Sequence, residues 1–236
     1  MLQVNIKNLF LYKNSKEISL LTDINFTLNE GKVYTIMGKN GTGKTTLIKS
    51  LTKLLDNKLY DVSGEIFWFG KNIFKMTDTE LLNLRKHKVR YVFQDLTNNF
   101  DPLKKLDYYL TQTKLNPDDL NKFLADFLLP EYKVISNLYP YEISGGMAQR
   151  LSLMFSIISN PKVLILDEPT SALDYVNTNL LKFLLKDYCE KLNSVIIVTH
   201  NMTFAKEVSD EVAVLKNGIL ADFMSSDNFY KTTSVQ

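Results

Sequence analysis

The sequence predicts an α/β protein built on a largely parallel β-sheet with helices packed against it. Three observations carry this. Val33–Met37, Val163–Leu166 and Val195–Thr199 are continuous apolar runs of strand length, as strands buried on both faces require. Helical patterns over Thr45–Leu55 and Thr178–Leu192 alternate with those runs, the order that produces parallel pairing. A glycine-rich loop stands between the first buried run and its helix.

In chain order, Leu2, Val4 and Ile6 alternate as one face of a strand. A second run, Leu20–Leu28, leads into the turn signal Asn29-Glu30-Gly31. After Val33–Met37 and the first helix, Gly64–Phe69 and Val89–Phe93 read as further strands. From Gln94 to Asn160 strand-like runs disappear and helical periodicity takes over, with Leu120, Phe123, Leu124 and Phe127 on one face. Beyond Val195–Thr199, Val212–Leu215 and Ile219–Phe223 flank Asn217-Gly218, a pair suited to a type I′ hairpin turn. Lys231–Gln236 is expected to fray.

The bulk composition narrows the class. With 236 residues, 45% of them hydrophobic, the chain can bury a core without covalent staples. The single cysteine, Cys189, excludes an internal disulfide and a cysteine-rich metal framework, so a reducing compartment is compatible. A net charge of +2 does not announce a nucleic-acid binder, and none is expected as a partner. Met1–Phe10 lacks the pattern of a secretory leader, and no apolar run approaches the roughly 20 residues that cross a bilayer, so any membrane crossing falls to other subunits.

The chemistry gathers in ordered segments. Gly38-Lys39-Asn40-Gly41-Thr42-Gly43-Lys44-Thr45 fits the phosphate-binding pattern G-x-x-x-x-G-K-[ST], followed by Thr46. Its glycines allow backbone N–H groups to turn toward phosphate oxygens at the start of a helix. Lys44 would reach the β- and γ-phosphates of ATP or GTP, and Thr45 would offer a hydroxyl to Mg2+. Val163-Leu164-Ile165-Leu166-Asp167-Glu168 is a strand ending in two acids. Asp167 is placed to hold Mg2+ through water, and Glu168, one residue on, to polarise an attacking water. Ser144, Gly145 and Gly146 open a helix whose N-terminus and flexible backbone suit a second phosphate contact.

Ile143-Ser144-Gly145-Gly146-Met147-Ala148-Gln149-Arg150 resembles the signature of the ATP-binding cassette (ABC) ATPases, usually L-S-G-G-Q. The resemblance runs from about Leu2 to Asp222 and implies the P-loop NTPase fold of that family. That fold has a RecA-like nucleotide core over 1–93 and 162–236, a small antiparallel N-terminal sheet and an inserted helical subdomain over 94–161, all one domain of 1–236. It implies that Ser144, Gly145, Gly146 and Met147 meet the nucleotide of an opposite subunit. It also implies that Gln94 is the Q-loop glutamine, on Mg2+ and the attacking water, and that Ser171-Ala172-Leu173-Asp174 is the D-loop. His200 corresponds to the switch histidine at the γ-phosphate. By itself a histidine at a strand end reads as a surface residue, as His87 does. Tyr12 is matched to the aromatic that stacks on adenine.

Gln94-Asp95 with Asn99-Phe100-Asp101-Pro102, and Tyr139-Pro140-Tyr141-Glu142 before the signature, resemble the oligopeptide/nickel importer branch. Leu96 and Asp101 depart from it, where proline and asparagine are usual; Met147 is habitual there. Ending at Gln236 without a Cys-bearing extension favours the nickel or metallophore type. The resemblance implies ATP hydrolysis coupled to uptake at the cytoplasmic face of the membrane. The implied partners are two permease subunits, a substrate-binding protein and a second ATPase, either a paralogue or a copy of itself. A groove around Gln94–Tyr109, lined by Phe100, Tyr108 and Tyr109, would receive a helix of a permease. Competing readings are the ATPase of an exporter and a soluble ABC ATPase outside transport.

Overall fold

The computed structural model describes residues 1–13, 16–93, 100–171 and 173–233. Its first layer is a four-stranded antiparallel sheet of β1 (Leu2–Lys13), β2 (Lys16–Leu28), β4 (Tyr60–Trp68) and β5 (Lys71–Asn72), in the order β2-β1-β4-β5. Leu2, Val4 and Ile6 are buried on one face, as their alternation predicts. Where β4 crosses β1 the register shifts between Ile6 and Asn8, opposite Gly64. Gly64 has φ +124°, and a Cβ there would sit 2.1 Å from the Asn5 carbonyl oxygen, so only glycine fits this bulge.

The second layer is a seven-stranded sheet. It runs β10 (Ile219–Leu220), β9 (Glu211–Lys216), β3 (Val33–Met37), β8 (Ser194–Thr199), β7 (Val163–Asp167) and β6 (Val89–Val92), with β11 (Met224–Ser225) added on β9. From β9 to β6 every pairing is parallel. Successive residues face opposite sides of a strand, and that explains the continuous apolar runs. Tyr34, Ile36, Ile165, Ile196 and Val198 pack toward the antiparallel sheet, together with Leu47 and Ile48 of α1 (Lys44–Ser50). Val33, Leu164, Leu166, Val195 and Ile197 pack the other way, against helices. Each such fully buried side chain contributes about 1.5–3 kcal/mol.

The helical third layer shares that second core. It comprises α3 (Leu106–Thr111), α4 (Pro117–Asp126), α5 (Tyr132–Ile135), α6 (Gly145–Ile158) and α7 (Tyr175–Glu190). Leu120, Leu124 and Phe127 are buried and Phe123 is packed beside them, the face expected from their spacing. Their cluster is continuous with Leu164 and Leu166 of the sheet. Asn116 caps α4 with Pro117 in its first turn, and Arg150 of α6 donates to the Leu128 carbonyl at 2.8 Å, tying α6 to the end of α4.

Several boundaries differ from those expected. The first helix stops at Ser50 instead of Leu55, because tertiary donors take the next carbonyls: Trp68 Nε1 that of Leu51, and the Arg85 guanidinium those of Thr52 and Lys53. The second strand of the C-terminal hairpin is two residues long, and the chain then returns to β9 as β11. Its turn is as expected, with Asn217 at φ +52° and Gly218 at +78°. Lys231 belongs to a helix, α9 (Ser226–Thr233), whose Phe229 and Tyr230 pack on Met37, Ala205 and Val212. Two helices that the periodicity did not announce are α2 (Asp78–His87), closed by a Thr77–Glu80 capping box, and α8 (Met202–Val208), capped by Asn201. No helix among the described residues is long and apolar enough to cross a membrane.

Candidate nucleotide-binding site

β3, β7 and β8 end at the same edge of the sheet, the edge where open α/β sheets bind ligands. From β3 the chain enters the loop Gly38–Gly43. Gly41 and Gly43 have φ of +80° and +96°, and a Cβ on Gly38 would lie 2.6 Å from the Leu215 carbonyl oxygen. The loop therefore turns in a way that side chains at those glycines would obstruct. Gly43 begins α1 with no side-chain cap and no acid in the first turn, which leaves the positive end of the helix unneutralised. Lys39 and Asn40 are exposed at the tip, while Thr42 closes the loop by donating its hydroxyl to the Lys39 carbonyl at 2.9 Å. Thr46 is half-buried in the first turn of α1.

Lys44 is buried and its ammonium donates to the Gly38 carbonyl at 2.8 Å and the Lys39 carbonyl at 3.2 Å. The same nitrogen lies 3.3 Å from Glu168 Oε1, off the hydrogen-bonding angle, so that buried oxygen has charge compensation but no hydrogen bond. Glu168 Oε2 accepts from the Thr199 hydroxyl at 3.0 Å and is hydrogen-bonded to His200 Nδ1 at 3.1 Å. Glu168 also sits at φ +47°, an uncommon conformation for a non-glycine residue, locked by its amide donating to the Val198 carbonyl. Burial on its own would raise the Glu168 carboxyl; the hydrogen bonds from His200 and Thr199 and the Lys44 charge outweigh it, and the carboxyl titrates below its ordinary range. It is an anion at neutral pH.

Asp167 ends β7, with β8 between it and β3. It nonetheless reaches the loop, because Thr45 donates its hydroxyl to Asp167 Oδ1 at 3.1 Å. Tyr91 on β6 donates to the other oxygen, Oδ2, at 2.8 Å. Burial raises the Asp167 carboxyl above the usual range, and these two hydrogen bonds counter part of that rise. Among the described residues no group of three or more His, Cys, Asp or Glu side chains gathers to form a metal cage. One carboxylate beside one hydroxyl fits Mg2+, which keeps several waters and takes phosphate oxygens to complete its shell.

The signature segment is built differently. Ser144 caps α6 by accepting from the Met147 amide at 3.2 Å; Ser144 and Gly145 are exposed, and Gly146 and Met147 half-buried. A Cβ on Gly145 would meet nothing within 4 Å. Of the D-loop, Ser171 is exposed, Leu173 half-buried, and Asp174 caps α7 through the Asn177 amide at 2.8 Å. Among the described residues no hydrogen bond joins the signature to the phosphate loop of the same chain.

Gln94 and Ala172 lie outside the described residues. Tyr12 stands at the outer end of β1, exposed, paired in register with Glu17, and not in the hydrogen-bonded cluster. An open groove of about 690 Å3 lies beside α6, lined among others by Arg85, Arg90, Phe100 and Tyr109; Tyr108 is not in its wall. His87 is at the exposed rim of that groove. The residues that sequence reasoning missed are Tyr91 and Thr199. Both sit inside strands and carry no motif, so their signal is the strand register alone.

A glycine-rich phosphate loop, a Thr–Asp pair and a Glu–His pair at one sheet edge define a P-loop nucleotide-binding protein. Comparison with known proteins narrows this: the ABC transporter family matches residues 21–171, and the chain belongs to that family. It is 30% identical to the oligopeptide transport ATP-binding protein OppD of Bacillus subtilis, over 91% of this chain and 63% of OppD. It is 29% identical to the metal-staphylopine import ATP-binding protein CntD of Staphylococcus aureus, over 93% of this chain and 84% of CntD. It is 34% identical to the phosphate import ATP-binding protein PstB of Saccharolobus solfataricus, over 96% and 89%. The chain thus spans under two thirds of OppD and most of the other two. Among solved structures, a dimeric bacterial ABC transporter cassette superposes with TM-score 0.79 at 25% identity, covering 96% of this chain and 99% of that one. The fold is that of the ABC cassettes.

Proposed function

We propose that the protein binds ATP with Mg2+ and hydrolyses it to drive uptake through an ABC importer. The observation that carries this is the buried Lys44–Glu168 pair, capped by His200, beside the Thr45–Asp167 pair. When bound, Mg2+ neutralises phosphate charge, held by Thr45 and Asp167 and, by resemblance, Gln94. Lys44 is drawn from its carbonyl partners to the phosphates. Glu168, anionic and fixed by Thr199 and His200, accepts a hydrogen bond from the attacking water. His200, half-exposed at the end of β8, steadies the γ-phosphate, and Tyr12 offers its ring to adenine. The decisive experiment measures ATPase activity and ATP binding of Glu168→Gln: turnover lost with binding kept supports the assignment, and near-normal turnover refutes it.

The signature, with Ser144 and Gly145 exposed, and the D-loop, with Ser171 exposed, supply the second half of a composite site on another ATPase subunit, a copy or a paralogue. The chain carries both halves, which keeps a homodimer open. The groove at Phe100 and Tyr109 receives a short helix of one of two permease subunits, with a substrate-binding protein completing the system at the cytoplasmic membrane. For cargo, the Phe100-Asp101-Pro102 and Tyr139–Met147 segments favour an oligopeptide or a nickel–metallophore complex. Those named transporters of peptide, staphylopine-bound metal and phosphate share comparable identity with this chain, so overall identity does not choose among them. Tagged Glu168→Gln protein, trapped with ATP and Mg2+ and recovered from native membranes, tests the assembly. Two multi-span proteins in the recovered complex support it; a ribosome or repair complex overturns the transport reading while leaving the ATPase intact.

A further inference from the structure

We infer that Tyr91 is a positioning residue for the magnesium of this site, pinning one oxygen of Asp167 so that the other stays turned toward Thr45 and the cation. The inference rests on the Mg–ATP reading above and adds to it a residue outside every motif of the sequence.

The strand register places Tyr91 of β6 opposite Ile165 of β7. Asp167, two residues further along β7, projects from the same face as Ile165. A tyrosine ring spans about the two-residue rise that separates them, so the hydroxyl arrives at the carboxylate with the ring lying along the strand. The ring is held on its way: it packs against the first hydrophobic core, and its centroid is 4.5 Å from that of Phe93. At its end the hydroxyl donates to Asp167 Oδ2 at 2.8 Å while Thr45 donates to Oδ1 at 3.1 Å. A buried carboxylate with one donor could swing its free oxygen into the Thr45 position. With one donor on each oxygen, rotation of the carboxylate breaks two bonds at once. A tyrosine hydroxyl is a neutral donor at physiological pH. Because the second donor is neutral, it fixes the carboxylate without cancelling the negative charge that the cation needs.

A role confined to packing would act on nucleotide affinity with or without the cation. A positioning role acts only on the increment that Mg2+ adds. The test measures binding of the non-hydrolysable fluorescent analogue mant-AMP-PNP to the full chain and to Tyr91→Phe, in excess EDTA and across a Mg2+ titration. The phenylalanine keeps the ring. The expected result is unchanged nucleotide affinity in EDTA and a melting temperature lowered by a few degrees, because Asp167 Oδ2 loses its donor. The Mg2+ concentration for half-maximal enhancement rises about tenfold, the effect of one lost hydrogen bond to a charged group. An unchanged Mg2+ midpoint, or equal weakening with and without the cation, overturns the positioning role while leaving the Mg–ATP reading in place. A wild-type protein that binds no nucleotide overturns both. Should Tyr91→Phe fail to fold, wild-type protein labelled at tyrosine 13Cζ serves: Mg2+ added to the nucleotide-bound protein shifts the Tyr91 resonance, and its indifference rejects the inference.

Discussion

The sheet edge and the signature segment make opposite uses of glycine. At the sheet edge, Gly38 stands against a carbonyl and Gly43 against Leu21, and the charged groups around them are buried and paired with one another. At the signature, a Cβ on Gly145 would meet no atom of the described residues within 4 Å, and its neighbour Ser144 caps its own helix with its hydroxyl. The first region is completed by its own chain. The second packs its Ile143 and Met147 side on the helical core and leaves Ser144 and Gly145 facing outward, which is what half of a shared site looks like on an isolated subunit.

Five substitutions break or sharpen that contrast. Glu168→Gln has the largest effect expected: ATP turnover falls about 100-fold or more, the range for loss of a general base, while ATP affinity in a binding assay changes little. Gly145→Asp comes next. It places a carboxylate in open space, so the melting temperature and nucleotide binding by the single chain stay as in wild type, whereas ATPase activity falls more than tenfold through repulsion of the opposing phosphates. Equal damage to single-chain nucleotide binding would dissolve the distinction between the two regions. Tyr12→Ala weakens nucleotide affinity about fivefold to tenfold if the ring stacks on the base, read by fluorescence titration with ATP. The smallest effects compare the glycines themselves. Gly43→Ala forces a side chain into φ +96° and against Leu21, lowering stability by about 1 kcal/mol or more in urea unfolding. Gly145→Ala, at the start of a helix with free space, leaves stability unchanged or slightly higher.

The sequence by itself determined the α/β class, the buried strands Val33–Met37 and Val163–Leu166, the phosphate loop, the acidic pair and the helix that the signature opens. These are local properties: apolar run length, glycines at a strand-to-helix turn, and a serine before a helix are set by neighbours in the chain. Capping residues Thr77 and Asn201 were equally local, but the weak periodicity of the helices they begin hid them. Only the tertiary structure decided the rest. It ended the first helix at Ser50 because Arg85 and Trp68 arrive from elsewhere, and it drew β11 and α9 onto β9 and Met37. It also brought Tyr91 and Thr199 to the two carboxylates. No spacing along the chain encodes those pairs, since each depends on which strands become neighbours and in what register, and that follows from packing three layers around two shared cores.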